Sequence, residues 1–435
     1  MNKREFSRRR KRLMDLMGNE SIAIIPTASV HIRNRDAEYP FRPDSDFYYL
    51  TGFSEPEAVA LLIPDRDHGE FVMFCRERDE KMETWNGRRA GLEGVCKIHE
   101  ADDAFPIGDL DDILPGLLED RERIYYTMGN DPIFDQRVLS WVNQVRKRVR
   151  TGVNAPDEFV SLDHLLPEMR LFKSTAEIKV MRKAAKIAAS AHKRAMRICS
   201  PGMMEYQIEA ELLHEFMSLG ARSPAYTSIV GGGENSCILH YVENSAELVD
   251  GEMLLIDAGA EYENYASDIS RTFPVNGKYS EEQRQIYEVV LGANLAAIDA
   301  VKPGNHWNQP HEAATAVLTE GLVSLGILKG NVPDLIKKQA YKKYYMHRTG
   351  HWLGLDVHDV GDYKLDGEWR VLEPGMVTTI EPGLYMKPHS GLAKKWWNIG
   401  VRIEDDVLVT KDGHELLTRD APKTIDEIEN LMAMN

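Results

Sequence analysis

Two stretches of this chain, roughly a hundred residues apart, pass through the same order of punctuation. After a helical run that opens at Ser174, Pro201-Gly202 breaks the chain, a second helical run follows, and Ser218-Leu219-Gly220 closes it. After the run that opens at Ser280 come Pro303-Gly304, another helical run and Ser324-Leu325-Gly326. Ser174 with Glu177, and Ser280 with Gln283, are capping-box pairs that mark helix starts, the first predicting a long helix to about Ile198. Chance likeness of two helix hairpins explains the pattern equally well. A true repeat implies two related α/β halves, each pairing two helices with strands. A cleft between such halves suits a ligand, and the chemistry belongs on the strands that follow each helix pair.

Ahead of the repeat, the short apolar runs Ser21 to Pro26, Ala58 to Pro64 and Glu70 to Cys75 alternate with polar stretches and a helical segment from Phe134 to Val149, which predicts an α/β domain. The pattern loosens around Pro156 to Lys173, so a boundary near 172 divides the chain into 1–172 and 173–435. The formal net charge of −16 repels phosphate backbones and anionic lipid, which argues against a nucleic-acid or membrane partner. Lys3, Arg4, Arg8, Arg9, Arg10, Lys11 and Arg12 reverse that balance locally. No apolar stretch follows them, so they read as a solvated helix face and not as a targeting signal. Four cysteines without close paired spacing and no long apolar run predict a soluble protein of the reducing cytoplasm.

The most informative stretch, Met253 to Phe273, reads MLLIDAGAEYENYASDISRTF, two apolar strands around Glu261-Tyr262-Glu263-Asn264. A hairpin turn centred between Tyr262 and Glu263 sets Asp257 opposite Asp268. Like charges that close are destabilising unless a cation joins them or one is protonated. The segment alone equally allows two solvated aspartates on a surface hairpin. A second cluster places His347, His351 and His358 within MHRTGHWLGLDVHDVG, where Gly350, Gly354 and Gly361 argue against a regular helix. Imidazole serves as metal ligand or as proton shuttle, and both roles stay open. Glu381 follows the apolar run Met376 to Ile380, and Glu404 ends Gly400-Val401-Arg402-Ile403-Glu404. The plain readings are a turn residue for Glu381, as in the nearby Glu373-Pro374-Gly375, and an Arg402–Glu404 salt pair. Together, four carboxylates and one imidazole without sulfur suit a pair of divalent ions, and with them amide hydrolysis.

These residues resemble the pita-bread metallopeptidases, and within them the aminopeptidase P family. The strings LIDAG, DISRTF, GHWLGLDVHD, IEPGLY and VRIEDD carry the family's ligand order on Asp257, Asp268, His351, Glu381 and Glu404. The resemblance implies an α/β (α+β) protein: an N-terminal α/β domain of the creatinase/aminopeptidase P type and a pita-bread catalytic domain. It implies two divalent metal ions, manganese by family habit, with Asp268 and Glu404 bridging them, Asp257 completing one site, and His351 with Glu381 the other. Glu381 also handles the proton of the metal-bridging hydroxide that attacks the Xaa-Pro bond. His240 and His358 are expected to line the substrate cleft, with His347, Tyr385 and Arg402 around them.

The stretch from Arg33 to Phe53, by itself a loop and an aromatic strand of plain core, resembles the family's amino-terminal domain. Through it Asp36 and Arg150 are expected to form an accessory polar pair, and Trp85 a cleft wall across a subunit contact in a homodimer or homotetramer. One departure stands out: Arg348 follows His347 where the family has glycine, which puts the loop shape and the role of His347 at the proline pocket in doubt.

An X-Pro amide has no N–H to donate and visits cis far more than other bonds, so a site that grips the free amino terminus and seats the ring supplies alignment that strand pairing cannot. The expected substrates are peptides with proline in second position. A prolidase restricted to X-Pro dipeptides is the near alternative, and a metal-free peptide-binding scaffold the distant one.

Overall fold

The Glu177 N–H donates to Ser174 Oγ and the Ser174 N–H donates to the Glu177 carboxylate, and this reciprocal cap opens the helix Thr175–Ile198 of the computed structural model, which describes residues 1–434. Ser280 and Gln283 cap Glu281–Ala300 in the same way. Each of these helices packs antiparallel to the next, Glu205–Ser218 and Gln309–Ser324 respectively, across its Pro-Gly break. Ala184, Ala188, Ala191 and Ala195 are buried on the first helix at helical spacing, so small side chains let its neighbours approach closely.

The repeat is real in three dimensions. After the first helix pair comes an antiparallel sheet of Ile229–Gly232, Met253–Asp257 and Ser270–Pro274; after the second comes one of Val377–Ile380, Asp405–Thr410 and Gly413–Leu416. One hydrophobic core runs through both halves, from Ile187 and Phe216 to Tyr287 and Val407.

The hairpin turn differs from expectation by one residue. Glu263 and Asn264 both adopt left-handed φ, 49° and 63°, and Tyr262 pairs with Tyr265, so the turn is centred between Glu263 and Asn264. Asp257 therefore faces Ser270, not Asp268. Moving the turn centre by one residue shifts the partner by two, which keeps both aspartates on the same face because side chains alternate with period two.

Residues Met1–Met169 form one compact unit and a second begins at Arg170. The first holds a six-stranded sheet in the order 103–106, 71–75, 59–62, 21–26, 123–125, 158–160, parallel except for Val59–Leu62. Two readings of its start need correction. Phe47 to Leu50 lie on a short helix, Ser45–Thr51, capped by Asp44, and not on a strand. The helix Lys3–Met17 is solvated only in part. Arg9 stacks on the Tyr49 ring at 4.0 Å and donates to Tyr49 O at 2.9 Å, while Arg10 stacks on Phe71 at 4.0 Å and donates to Leu50 O at 3.0 Å. Both guanidinium groups are buried because they cap carbonyls left open in the last turn of the short helix.

Candidate metal centre

The carboxylates arrive at strand ends. Asp257 ends its strand and Glu381 comes directly after Val377–Ile380; Asp268 lies two residues before Ser270–Pro274 and Glu404 one before Asp405–Thr410. Gly259 permits the hairpin's close approach, since a Cβ there would meet Ser267 O at 1.7 Å. His351 sits on an extended segment beside the second sheet, where Trp352 bridges Thr378 and Thr379 N donates to His351 O. Gly350 is required there: a Cβ would meet Thr379 O at 2.0 Å. Arg348 does not adopt left-handed φ, so the backbone at this position does not call for glycine.

Donor atoms of Asp268, His351 and Glu404 lie within 4.8 Å of one another. His351 Nε2 stands 3.4 Å from Asp268 Oδ2, and its Nδ1 donates to Trp352 O at 2.9 Å, which leaves the Nε2 lone pair for a ligand role. The Tyr226 hydroxyl reaches both Asp257, at 2.6 Å, and Asp268. Arg402 donates to Asp257 Oδ2 at 2.7 Å, Tyr385 Oη at 3.0 Å and Ser270 Oγ at 2.9 Å. Its ion pair is thus with Asp257 and not with Glu404, because Glu404 lies past the end of Arg402's strand and receives Ser270 Oγ at 2.8 Å. Nor is Glu381 a surface turn residue like the exposed Glu373: its N–H donates to Thr349 O and its carboxylate lies 3.7 Å from His347 Nδ1.

The electrostatics fit cations. Crowding of acidic groups opposes full ionisation of the cluster: burial and then Asp257 raise Asp268, and burial with Asp268 and Glu381 raises Glu404 well above the carboxylate range. Burial raises Glu381 to about 7, with Asp268 and Asp257 adding and His351 and Arg402 opposing. Burial disfavours charge on His351, but the Asp268 carboxylate outweighs it and holds the imidazole at about 9. Asp257 alone is held low, because Arg402 and the Tyr226 hydroxyl outweigh its burial. Four carboxylates balanced by so little positive charge, with one oriented imidazole, form a hard donor set suited to divalent ions.

Around this centre, the His347 Nδ1–H donates to Arg348 O at 2.7 Å and its Nε2 accepts from the Tyr385 hydroxyl at 2.8 Å. Burial, with Arg402 nearby, lowers His347 to about 3 and keeps it neutral. His358 meets the His351 ring edge-on at 4.4 Å, and exposed His240 is close enough to help lower it after burial and His351. The three remaining expected residues lie in the first unit. Asp36 is exposed in the turn between Ile32–Asn34 and Ala37–Glu38, Arg150 is exposed on a short 3-10 turn, and Trp85 is 84% exposed on Glu80–Asn86. Among the described residues no hydrogen bond or ion pair joins Asp36 to Arg150.

Three supporting residues escape sequence reasoning. Tyr226 lies in no recognisable motif. Asn294 donates to Ile380 O at 3.2 Å and Ile403 O at 3.1 Å, fixing the residues just before Glu381 and Glu404. His192 Nε2 donates to Ala258 O at 3.0 Å, beside Asp257. A signal existed for the last two, since each is a polar residue on the buried, apolar face of its helix.

The fold and site define a metallopeptidase. The chain belongs to metallopeptidase family M24, whose model matches residues 179–411, and residues 6–125 match the aminopeptidase P N-terminal domain. It is 46% identical over 433 residues to the Xaa-Pro aminopeptidase of Escherichia coli, covering 99% of this chain and 98% of that protein. Among solved structures it is similar to the Pseudomonas aeruginosa aminopeptidase PepP, with a TM-score of 0.99 and 59% identity over 100% of this chain and 98% of the other. A zinc-substituted E. coli aminopeptidase P in complex with product superposes with a TM-score of 0.97 at 45% identity, over 100% and 99% of the two chains. The N-terminal aminopeptidase P domain and pita-bread catalytic domain expected from the sequence are both present.

Proposed function

We propose that this chain is an aminopeptidase that hydrolyses the bond between an N-terminal residue and a following proline, with domains 1–172 and 173–435. The observation that carries the reading is the convergence of Asp268, His351 and Glu404 donor atoms within 4.8 Å, flanked by Asp257 and Glu381. The near full-length likeness to the E. coli protein named Xaa-Pro aminopeptidase supports the specificity. Asp257, Asp268, His351, Glu381 and Glu404 would hold two divalent ions, manganese by family habit, which supply Lewis acidity and lower the pKa of water near the scissile bond.

The chain's own groups do the rest. Glu381 takes and returns the proton of the attacking water. Arg402 fixes Asp257 and, through Tyr385, the neutral His347 that shapes the proline pocket. His358 and His240 hydrogen-bond the peptide. Asp36, Arg150 and Trp85 are accessory, Trp85 as a cleft wall in a homodimer or homotetramer. No helix among the described residues is long and apolar enough to cross a membrane, and the cytoplasm is the proposed location.

The test is release of the N-terminal residue from an X-Pro-Y tripeptide and an X-Pro dipeptide, each with manganese and with chelator. Metal-dependent cleavage of the tripeptide alone establishes the proposal. Cleavage of the dipeptide alone makes the chain a prolidase, and cleavage of neither by folded, metal-loaded protein overturns both.

A further inference from the structure

Asp and Glu make up 69 of 435 residues, yet residues 335–355 and 382–403 contain none while holding nine Lys or Arg. The two acid-free stretches meet in space. Tyr385 N donates to Tyr344 O at 2.9 Å, Lys343 Nζ lies 3.2 Å from His389 Nδ1, and the Tyr344 hydroxyl lies 3.2 Å from His389 Nε2. They also border the metal centre. Lys387 stands two residues beyond Tyr385, and Lys343 two before Tyr345, whose ring meets His347 edge-on at 4.8 Å.

Lys343, Lys387, Lys394 and Lys395 are exposed, and among the described residues none of them pairs with a carboxylate. Lys395 and Lys394 rest over the rings of Trp396 and Trp397 at 4.4 and 5.7 Å, which holds their charge at the surface. A chain of net charge −16 repels acidic peptides at long range, and Lys343 and Lys387 set positive charge beside the His347 end of the site, with Lys394 and Lys395 following further along the second stretch. Among the described residues the buried Arg402–Asp257 pair is the one salt bridge that a Lys or Arg of either stretch supplies, and it leaves the four surface lysines without carboxylate partners.

On the reading of the site as an X-Pro aminopeptidase with His347 at the proline pocket, we infer that this lysine rim is a subsite for carboxylates carried by the peptide beyond its proline. The carboxylate is either an acidic side chain or the peptide's own terminus.

The test measures kcat and KM of the manganese-loaded enzyme on Ala-Pro-Ala-Glu-Glu-amide, its Gln-Gln and Lys-Lys counterparts, and Ala-Pro-Ala as free acid and amide. Each is run at ~20 and ~300 mM NaCl, where screening lengths are about 20 and 6 Å. KM should rise from Glu to Gln to Lys peptides by about two- to fivefold per charge at low salt. The steps should shrink at high salt, with kcat flat. A Lys343→Ser, Lys387→Ser, Lys394→Ser, Lys395→Ser variant, its folding checked by melting temperature, should lose the Glu-over-Gln step. Preference within the amide-capped series assigns side chains, and preference for free acid over amide alone assigns the terminus; either supports the subsite. Equal KM across all peptides, with the Gln peptide cleaved, overturns the subsite and leaves the proposed activity standing. A preference that survives in the variant overturns the assignment to these lysines. No cleavage of the Gln peptide overturns the activity itself.

Discussion

Removing divalent ions should make the stability of this protein depend on pH in a way the loaded protein does not share. Burial, reinforced by Asp268 and Asp257, raises Glu381 from 4.5 to about 7. A raised carboxyl binds its proton more tightly in the folded state, so its contribution is fully present below 4.5 and is lost as pH rises to 7. At 1.36 kcal/mol per pKa unit that loss is about 3 kcal/mol. His351, held at about 9 by Asp268 against its burial, adds a loss in the same direction between 6.5 and 9. Burial lowers His192 and His311 to about 4, so their contribution is present above 6.5 and is lost as pH falls. Those two histidines are not ligands and act equally in both forms, so the difference between forms isolates the centre. Ions bound in place of the protons should therefore widen the melting gap between loaded and stripped protein from about pH 5 to about pH 7.5. Roughly 2 °C per kcal/mol for a unit of this size gives a widening near 6 °C. Scanning calorimetry of both forms at the two pH values provides the assay. A gap of constant width would show that Glu381 is not part of a crowded anionic cluster, and the site's electrostatics would have to be redrawn.

Asp268→Asn should raise the melting temperature of stripped protein by relieving that crowding, yet lower turnover with manganese more than about 100-fold. Full activity with both metals bound would overturn its assignment. Tyr226→Phe removes the hydroxyl shared by Asp257 and Asp268. Metal affinity, followed by titration with a competing chelator, should weaken about 10- to 100-fold, and unchanged affinity would show that the hydroxyl does not set the ligand spacing. Arg402→Lys cannot serve Asp257, Tyr385 and Ser270 from one ammonium. Denaturant unfolding should show a loss of about 3 kcal/mol, and a stability within experimental error of the parent would refute the view of Arg402 as the organiser of that corner.

The helix caps, the repeat and the acidic positions were legible because each rests on local chemistry: a hydroxyl three residues before a Glu or Gln, Pro-Gly at a break, a carboxylate at the end of an apolar run. The hairpin register was not, because the type of turn depends on which residues accept left-handed φ, and without glycine in Glu261-Tyr262-Glu263-Asn264 the sequence leaves the centre open by one residue. Arg9 and Arg10 read as solvated because their partners, Tyr49, Leu50 and Phe71, are 40 or more residues away. Tyr226 was invisible for the same reason: its partners follow 31 and 42 residues later. Chemistry assembled from distant single residues leaves no periodic trace in the chain.

The repeat explains why the centre carries so much negative charge. Each half brings one carboxylate from the end of one strand and a second from just before the strand's partner, so juxtaposing two such halves places four carboxylates in one pocket. The buried helix of each half then fixes the ends it supplies, His192 through Ala258 O and Asn294 through Ile380 O and Ile403 O. The departures from symmetry do the discriminating. Arg402 quenches Asp257 on one side, while His351 meets Asp268 on the other. The two corners of the pocket thereby differ in charge and donor type although their backbones correspond, and two ions held there would not be equivalent. Sequential loading, with one ion stripped by mild chelation before the other, is the expected behaviour. A single cooperative loss of both ions in a chelator titration read by metal content would count against that asymmetry.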